Sequence, residues 1–358
     1  MNSIGQRVRH ALKGQGMTQK DLAERIGIAP DALSRALNGA RGFAAVEIAE
    51  IARALEADLY ELITGEADPS RLVLSARHTY DPETGCRSVE GAQEDQRILA
   101  DVRLAYEQAG PSAPTGSLPP SAAALRAALG TDFVRDFADR LEGLGVDVVR
   151  VQRLSTAYSF HIGERAVIAL GASGNWFHAN WSLAHEAAHH CLGHAGVMPD
   201  APGFENREIE ANAFAAELLL PEQVIRGTDW KDLSRADLAR LVWAWGVSTD
   251  ALRRRLAALD AEVSPDVASA LDQSTQGLLR RSWSEGCRGD PITARMEAAG
   301  RRRFPAWLTA SHLERIAQGA VGKATLAWML DVDEESLEVD APAEAAEPSL
   351  DELEALLG

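Results

Sequence analysis

Residues 182–194, SLAHEAAHHCLGH, hold four histidines and one glutamate in thirteen positions. Within them lies H-E-x-x-H, formed by His185, Glu186 and His189. In an α-helix, residues four apart project from one face, so the spacing is useful only if this stretch is helical. A helix here turns two imidazole nitrogens toward one point. Neutral imidazole is a common zinc ligand. Glu186, next to the first histidine, reaches a metal-bound water without taking a coordination position, which suits a general base.

A catalytic zinc usually has three protein ligands and one open position, so two histidines leave the set incomplete. The third is sought in EIEANAFAAELLLP, an amphipathic helix with Ala211, Phe214, Ala215 and Leu218 on its buried stripe. It offers Glu208, Glu210 and Glu217. Glu208 shares a side with Asn212, whose amide could support the carboxylate or a ligating histidine. His190 and His194 lack zinc spacing with Glu208 and read as surface or structural side chains. Cys191 reads as a packed small residue.

The H-E-x-x-H helix, followed after a loop by E-x-x-x-N-x-F-A-x-x-L-L-x-P, resembles the ImmA/IrrE family of zinc metallopeptidases. The resemblance spans about residues 125 to 225 and is strongest at the two helices. It implies Zn2+ held by His185, His189 and Glu208, with Glu210 as fallback for the third position, and Glu186 as catalytic base. It also implies a helix-turn-helix repressor as the protein substrate. The pair inside the motif, Ala187-Ala188, is smaller than the family's usual apolar pair and suits close helix packing. Tyr158, His161 and His178 are candidates for an oxyanion partner.

The N-terminus carries a different signal. Apolar residues recur at helical spacing through Ile4, Val8, Leu12, Leu22, Ile26, Leu33, Leu37, Ile48, Ile51 and Leu55. Gly27 and Asn38-Gly39 mark helix ends, and Thr18 is an N-cap. MTQKDLAERIGIAPDALSRALNGAR resembles the Cro/repressor-type (XRE) helix-turn-helix, which implies a five-helix domain at 1–66 that binds a DNA operator. The implied contacts are Gln19, Ala29, Pro30, Asp31, Ser34 and Arg35. Ala29 and Pro30 bring no side-chain donor, and Asp31 repels phosphate unless it meets a cytosine amine. Residues 1–65 hold eight basic and eight acidic side chains.

Between and beyond these motifs, the chain divides by composition. GPSAPTGSLPPS, residues 110–121, reads as a linker within a connecting segment 67–122. VDVVRVQ, AYSFHI and ERAVIAL read as strands, and AALRAALGTDFVRDFADRLEGLG as helix. The expected domains are therefore 1–66, 67–122, a metallopeptidase domain at 123–228, a helical region at 229–332, and an acidic tail at 333–358. The fold class is multidomain and mainly α, with a small α+β core. RRRFPAW adds a small basic patch.

The net charge of −17 argues against broad binding to anionic surfaces. The last 28 residues alone hold eleven acids and no Lys or Arg, leaving about −6 for the rest, so a local DNA site is compatible. Three widely spaced cysteines give no disulfide framework, and no apolar run approaches a membrane span of about 20 residues. These features point to a cytoplasmic protein with no membrane partner, and a homodimer is open. The competing expectations are a transcription regulator whose peptidase-like domain senses a ligand or partner without proteolysis, and an antitoxin-type regulator.

Overall fold

The computed structural model describes residues 4–55, 57, 59–65, 75–76, 79–80, 87–88, 92–111, 113–194, 204–282 and 290–340. The chain divides into two compact units, residues 1–71 and 72–358.

The first unit is five short helices: α1 Ile4–Gly14, α2 Gln19–Arg25, α3 Pro30–Leu37, α4 Ala45–Ala54 and α5 Leu59–Thr64. Each sends one apolar stripe inward, and Val8, Leu22, Leu33 and Ile51 are fully buried. Gly5 lets α1 meet α3, since a Cβ there would lie 2.2 Å from the Leu37 carbonyl oxygen. Arg7 donates to the Leu62 and Ile63 carbonyls at 2.9 and 2.6 Å, closing the C-terminal end of α5 onto α1.

The second unit is built on a sheet. Its short entry strands are β1 Ser75–Ala76, β2 Thr79–Tyr80 and β3 Arg87–Ser88, followed by helix α6 Ala92–Ala109. Then come α7 Ala122–Leu129, α8 Phe137–Gly143, β4 Val146–Val151, β5 Tyr158–Ile162 and β6 Arg165–Gly171. The four-stranded order is β1-β5-β6-β4, with β4 parallel to β6 and β5 antiparallel to it. β2 and β3 pair separately. The stretch expected as one helix at 123–145 is broken. Gly130 and Asp132 both take positive φ, which ends α7 and starts a 3-10 turn before α8.

Side chains alternate across the sheet, as the strand period requires. Val146, Val148, Ala166, Ile168 and Leu170 enter the core formed with α9 Trp176–Cys191 and α10 Phe204–Leu219. Val149, Val151, Tyr158, Phe160, Val167 and Ala169 enter a second core with α6. After α10 the chain is helical: α11 Glu222–Gly227, α12 Arg235–Trp245, α13 Thr249–Ala258, α14 Pro265–Leu271, α15 Thr275–Ser282, α16 Pro291–Ala299, α17 Ala306–Ala317 and α18 Ala324–Leu330. Helices α12 to α15 extend the α9 core, whereas α17 and α18 close over α6.

Two sequence expectations take a different form. The Pro- and Ser-rich stretch at 110–121 lies along the sheet. Thr115 N donates to the Glu164 carbonyl at 3.0 Å, Thr115 Oγ1 donates to the Gly145 carbonyl at 2.7 Å, and Ala166 N donates to that hydroxyl at 2.7 Å. Its irregular composition suits a segment whose backbone bonds go to a sheet instead of to a helix. The basic patch at 301–303 is largely turned inward. Arg303 pairs with Glu142 at 2.5 Å and Asp139 at 2.6 Å, and Arg302 donates to Gln152 at 2.7 Å. The loop expected between the two motif helices falls on residues 195–203, outside the described residues, as do residues 341–358 of the expected acidic tail. Among the described residues, no helix is long and apolar enough to cross a membrane.

Asp147 ties four elements together on the α6 face. Fully buried on β4, it accepts from Arg165 of β6 at 2.5 Å, Tyr106 of α6 at 3.0 Å and Trp307 of α17 at 3.1 Å. Asp147→Ala leaves the buried Tyr106 hydroxyl and the partly buried Arg165 guanidinium without this acceptor, a loss of about 2–4 kcal/mol. All eight tryptophans lie at or beyond position 176, so urea unfolding followed by tryptophan fluorescence reads this unit alone. His312 supplies a second test. Burial lowers its pKa, opposed by the hydrogen bond to the Ala105 carbonyl at 2.8 Å. The unfolded state therefore takes the proton first. His312's contribution is complete above about pH 6.5 and is lost as pH falls below it, at about 1.4 kcal/mol per unit. The stability difference between wild type and His312→Leu should shrink from pH 7 to pH 5.5, and a constant difference would contradict this.

Candidate functional site

Helix α9 follows directly from β6 and lies across the sheet. The Asn175 side chain caps it by accepting from His178 N at 3.2 Å. Ala184, Ala187 and Ala188 are almost fully buried, so small side chains let the helix backbone sit close to its neighbours. His190 is buried against the sheet, with Nε2 donating to the Val167 carbonyl at 3.1 Å, and burial pushes its pKa down to about 3. It anchors the helix as a neutral side chain. Cys191 is a partly buried free thiol that burial raises to about 12, which leaves it a packing residue.

With α9 anchored through His190, the next face carries His185 and His189. Both are buried, with Nε2 atoms 3.1 Å apart. Glu208, on the first half of α10, places Oε2 3.2 Å from His185 Nε2 and Oε1 3.2 Å from His189 Nε2. Among the described residues, this trio is the one group of His, Cys, Asp and Glu ligand atoms close enough to share a metal ion. Burial tends to raise the Glu208 carboxyl, but the hydrogen bonds and charges of His185 and His189 outweigh it and hold the pKa at about 2.

The donor set fits zinc. With bonds of about 2.0–2.1 Å, two ligand atoms of a tetrahedral zinc lie about 3.3 Å apart. The three separations here are 3.1, 3.2 and 3.2 Å. Two imidazole nitrogens and a carboxylate converging at this spacing can hold a cation among them.

The remaining residues separate clearly. Glu186 is buried on α9 between the two histidines. Glu210 turns to His194, with Oε2 3.2 Å from Nε2, so the fallback ligand sits outside the trio. Glu217 pairs with Arg255. The Asn212 amide donates to the main-chain carbonyl of Glu208 at 2.8 Å, a bond within α10 and a different role from the expected hold on a ligand side chain. Tyr158 belongs to the opposite sheet face. Its hydroxyl donates to Asp95 at 2.7 Å, and burial followed by that bond raises its pKa. His161 packs edge-on against His190, ring centroids 5.0 Å apart. His178 lines an open cleft of about 2070 Å³ that reaches Glu208. It lies seven residues before His185, about 10 Å along the helix.

Sequence reading missed Asp95, which is almost fully buried and holds the β4–β5 turn by accepting from Ser155 N at 2.9 Å and from the Ser155 hydroxyl. The signal was present: Asp95 falls in register with Leu99, Val102 and Tyr106 on the buried stripe of α6. The cleft's far wall, from α13 and the turn after α14, had no sequence signal because it forms only when distant helices pack.

In the first unit, Thr18 and Asp21 form a capping box at the start of α2, with Thr18 accepting from Asp21 N at 3.2 Å and Asp21 from Thr18 N at 3.1 Å. Gly27 turns the chain at φ +71°, and Pro30 opens α3. Gln19, Ala29, Pro30, Asp31 and Arg35 are exposed, and Ser34 is half-buried. Asp31 and Arg35 pair with each other at 3.3 Å across one turn of α3. Arg41 is occupied by Glu47 through bonds of 2.7 and 2.9 Å.

Comparison with known proteins agrees with both geometries. Residues 141–257 match the peptidase family described as the IrrE N-terminal-like domain, and residues 8–62 match the helix-turn-helix family. The chain matches no curated protein and no solved structure. The first match covers β4 to β6 and α9 through most of α13, and suggests a metallopeptidase-like domain. The second covers α2 and α3 and supports DNA binding. The chain thus carries one segment that matches the helix-turn-helix family and another that matches the IrrE N-terminal-like domain family.

Proposed function

We propose that the protein is a cytoplasmic zinc-dependent metallo-endopeptidase, coupled to a DNA-binding domain, that cleaves a helix-turn-helix repressor and so controls stress or mobile-element genes. The observation that carries this reading is the convergence of His185, His189 and Glu208, with Glu186 buried next to His185 and Glu208 lining an open cleft. Zinc held by that trio would supply Lewis acidity, polarising a peptide carbonyl and acidifying a water. Glu186 takes the proton from the water as its oxygen bonds to the carbonyl carbon. The carbon–nitrogen bond then breaks, and Glu186 returns the proton to the leaving amine. Carboxylate-to-amine transfer in a buried site keeps the proton from bulk water. The first unit would hold the enzyme at its operator through Arg35 and Gln19 or pair it with the similar fold of its substrate, and a homodimer would match a two-fold operator.

The regulator that senses without cutting uses the same trio and differs in the role of Glu186. Purified protein loaded with zinc, incubated with helix-turn-helix repressors and resolved by mass spectrometry, should cut a wild-type substrate at one site. Glu186→Gln should keep its zinc and lose at least about 100-fold in rate, as loss of a general base requires. Undiminished cutting by the variant would refute the mechanism. Operator binding that survives with no cutting by wild type would favour the regulator.

The ligand assignment has its own test. Glu208→Ala should lose stoichiometric zinc and the accompanying rise in thermal midpoint, while Glu210→Ala should keep both. Metal analysis after dialysis reads the difference, and the reverse pattern would move the third ligand to Glu210.

A further inference from the structure

The cleft has one wall that the proposed chemistry leaves unexplained. Helix α10 buries Ala211, Ala215 and Leu218 in the core. It also carries a second apolar stripe, Ile209, Ala213 and Ala216, at positions i, i+4 and i+7, and all three line the cleft. A helix packed on one side normally turns polar residues to the other. Ile209 is 65% exposed, a large β-branched side chain held in water beside the Glu208 ligand. Trp181 of α9 faces the same cleft.

The stripe has a direction and a length. His185 and His189 meet Glu208 near the start of α10, whereas His178 and Trp181 share the cleft with Asn212 and Ala216 further along. The two helices therefore run in opposite senses, and the trough between them leads away from the trio. From Ile209 to Ala216 it spans about 10 Å. An extended chain advances about 3.3 Å per residue with alternate side chains on one side, so about three residues fit and two of them face the stripe.

The far wall is charge-balanced and fixed. Arg253 and Arg254 both pair with Asp250, at 2.5 and 2.8 Å, Arg255 pairs with Glu217 of α10, and Asp272 also lines it. The turn after α14 is pinned to α13, with Thr249 N donating to Thr275 Oγ1 at 3.0 Å and Thr249 Oγ1 donating to the Gln273 carbonyl at 2.8 Å. This wall holds the trough open without selecting for charge.

Resting on the peptidase reading for its orientation, we infer that the trough is the specificity groove: it takes an extended polypeptide with an apolar side chain next to the cut bond, over Ile209, and a second one two residues further on, over Ala213 and Ala216. Such a segment is buried in a folded protein, so the substrate is cut where its structure opens.

Two measurements on the full-length protein separate this inference from the reading beneath it. The first uses the zinc-bound Glu186→Gln protein and a short fluorescein-labelled peptide alternating Leu and Ser, against a control with Asn for each Leu. Fluorescence anisotropy should show the Leu peptide binding at least about tenfold tighter. Ile209→Ser should remove most of that preference, and Ala213→Arg should abolish binding, each with zinc content unchanged. The second maps cuts made by the zinc-loaded wild type in a mixed peptide library. Leu, Ile, Val, Met or Phe should be enriched about fivefold beside the cut and again two residues away on one side. Equal binding of the two labelled peptides, or a Leu preference untouched by both variants, overturns the groove. Cutting without apolar enrichment also overturns it and leaves the peptidase standing. Leu-selective binding with no cutting by wild type keeps the groove and removes the peptidase.

Discussion

The close approach of the Glu208 carboxylate to two buried imidazoles sets the terms for the rest of the second unit. Two buried imidazoles and a partly buried carboxylate stay this near one another only where hydrogen bonds or a shared cation offset the lost hydration and the frame holds them in place. The frame supplies that rigidity from two directions. His190 fixes the rotation of α9 by bonding to the sheet, which leaves His185 and His189 facing α10. Arg255 fixes the other end of α10 through Glu217 and the Leu220 carbonyl. Neither anchor touches the trio, yet each limits how far a ligand atom can move.

The same logic explains why the unit extends well past the matched segment. An α9 helix buried on most faces needs cover on each of them, and the sheet and α10 provide only part. Trp176 and Trp243 clasp Arg295 of α16, whose guanidinium lies 4.3 Å from both ring centroids. That contact docks a late helix onto the start of α9. On the opposite sheet face, Asp147 draws α6, β6 and α17 into one network. Helices that look like accessories in the chain order thus complete the two cores between which the sheet is held.

The motif helices, the five-helix unit and the three longer strands were legible in sequence because their signals are local. Spacing placed His185 and His189 on one face, short apolar runs rich in β-branched residues marked β4 and β6, and caps such as Thr18 marked helix starts. What stayed hidden depended on partners far along the chain. Spacing could not separate Glu208 from Glu210; the fold sets Glu208 beside His185 and His189 and Glu210 beside His194. Residues 110–121 carried the composition of a linker, but their hydrogen bonds go to β6 and to the turn before β4. Arg301–Arg303 looked like a surface patch because charge in sequence does not reveal the acids waiting across the fold.

The two units place different demands on charge, and this bears on how a fusion of them works. In the first unit Arg7 and Arg41 serve the fold, and Arg35 pairs with Asp31 on the exposed face of α3. Of the eight basic side chains in residues 1–65, Arg35, Arg41 and Arg53 pair with acids of the same unit, which trims sequence-independent attraction to phosphate and leaves base contacts a larger share of the affinity. A chain with a net charge of −17 is also repelled by DNA at long range. Both effects favour brief, selective contact over long residence on bulk DNA. On the proposed reading, with a DNA-bound repressor as substrate, that combination would keep the enzyme free to sample targets and confine its stay to sites where specific contacts add up.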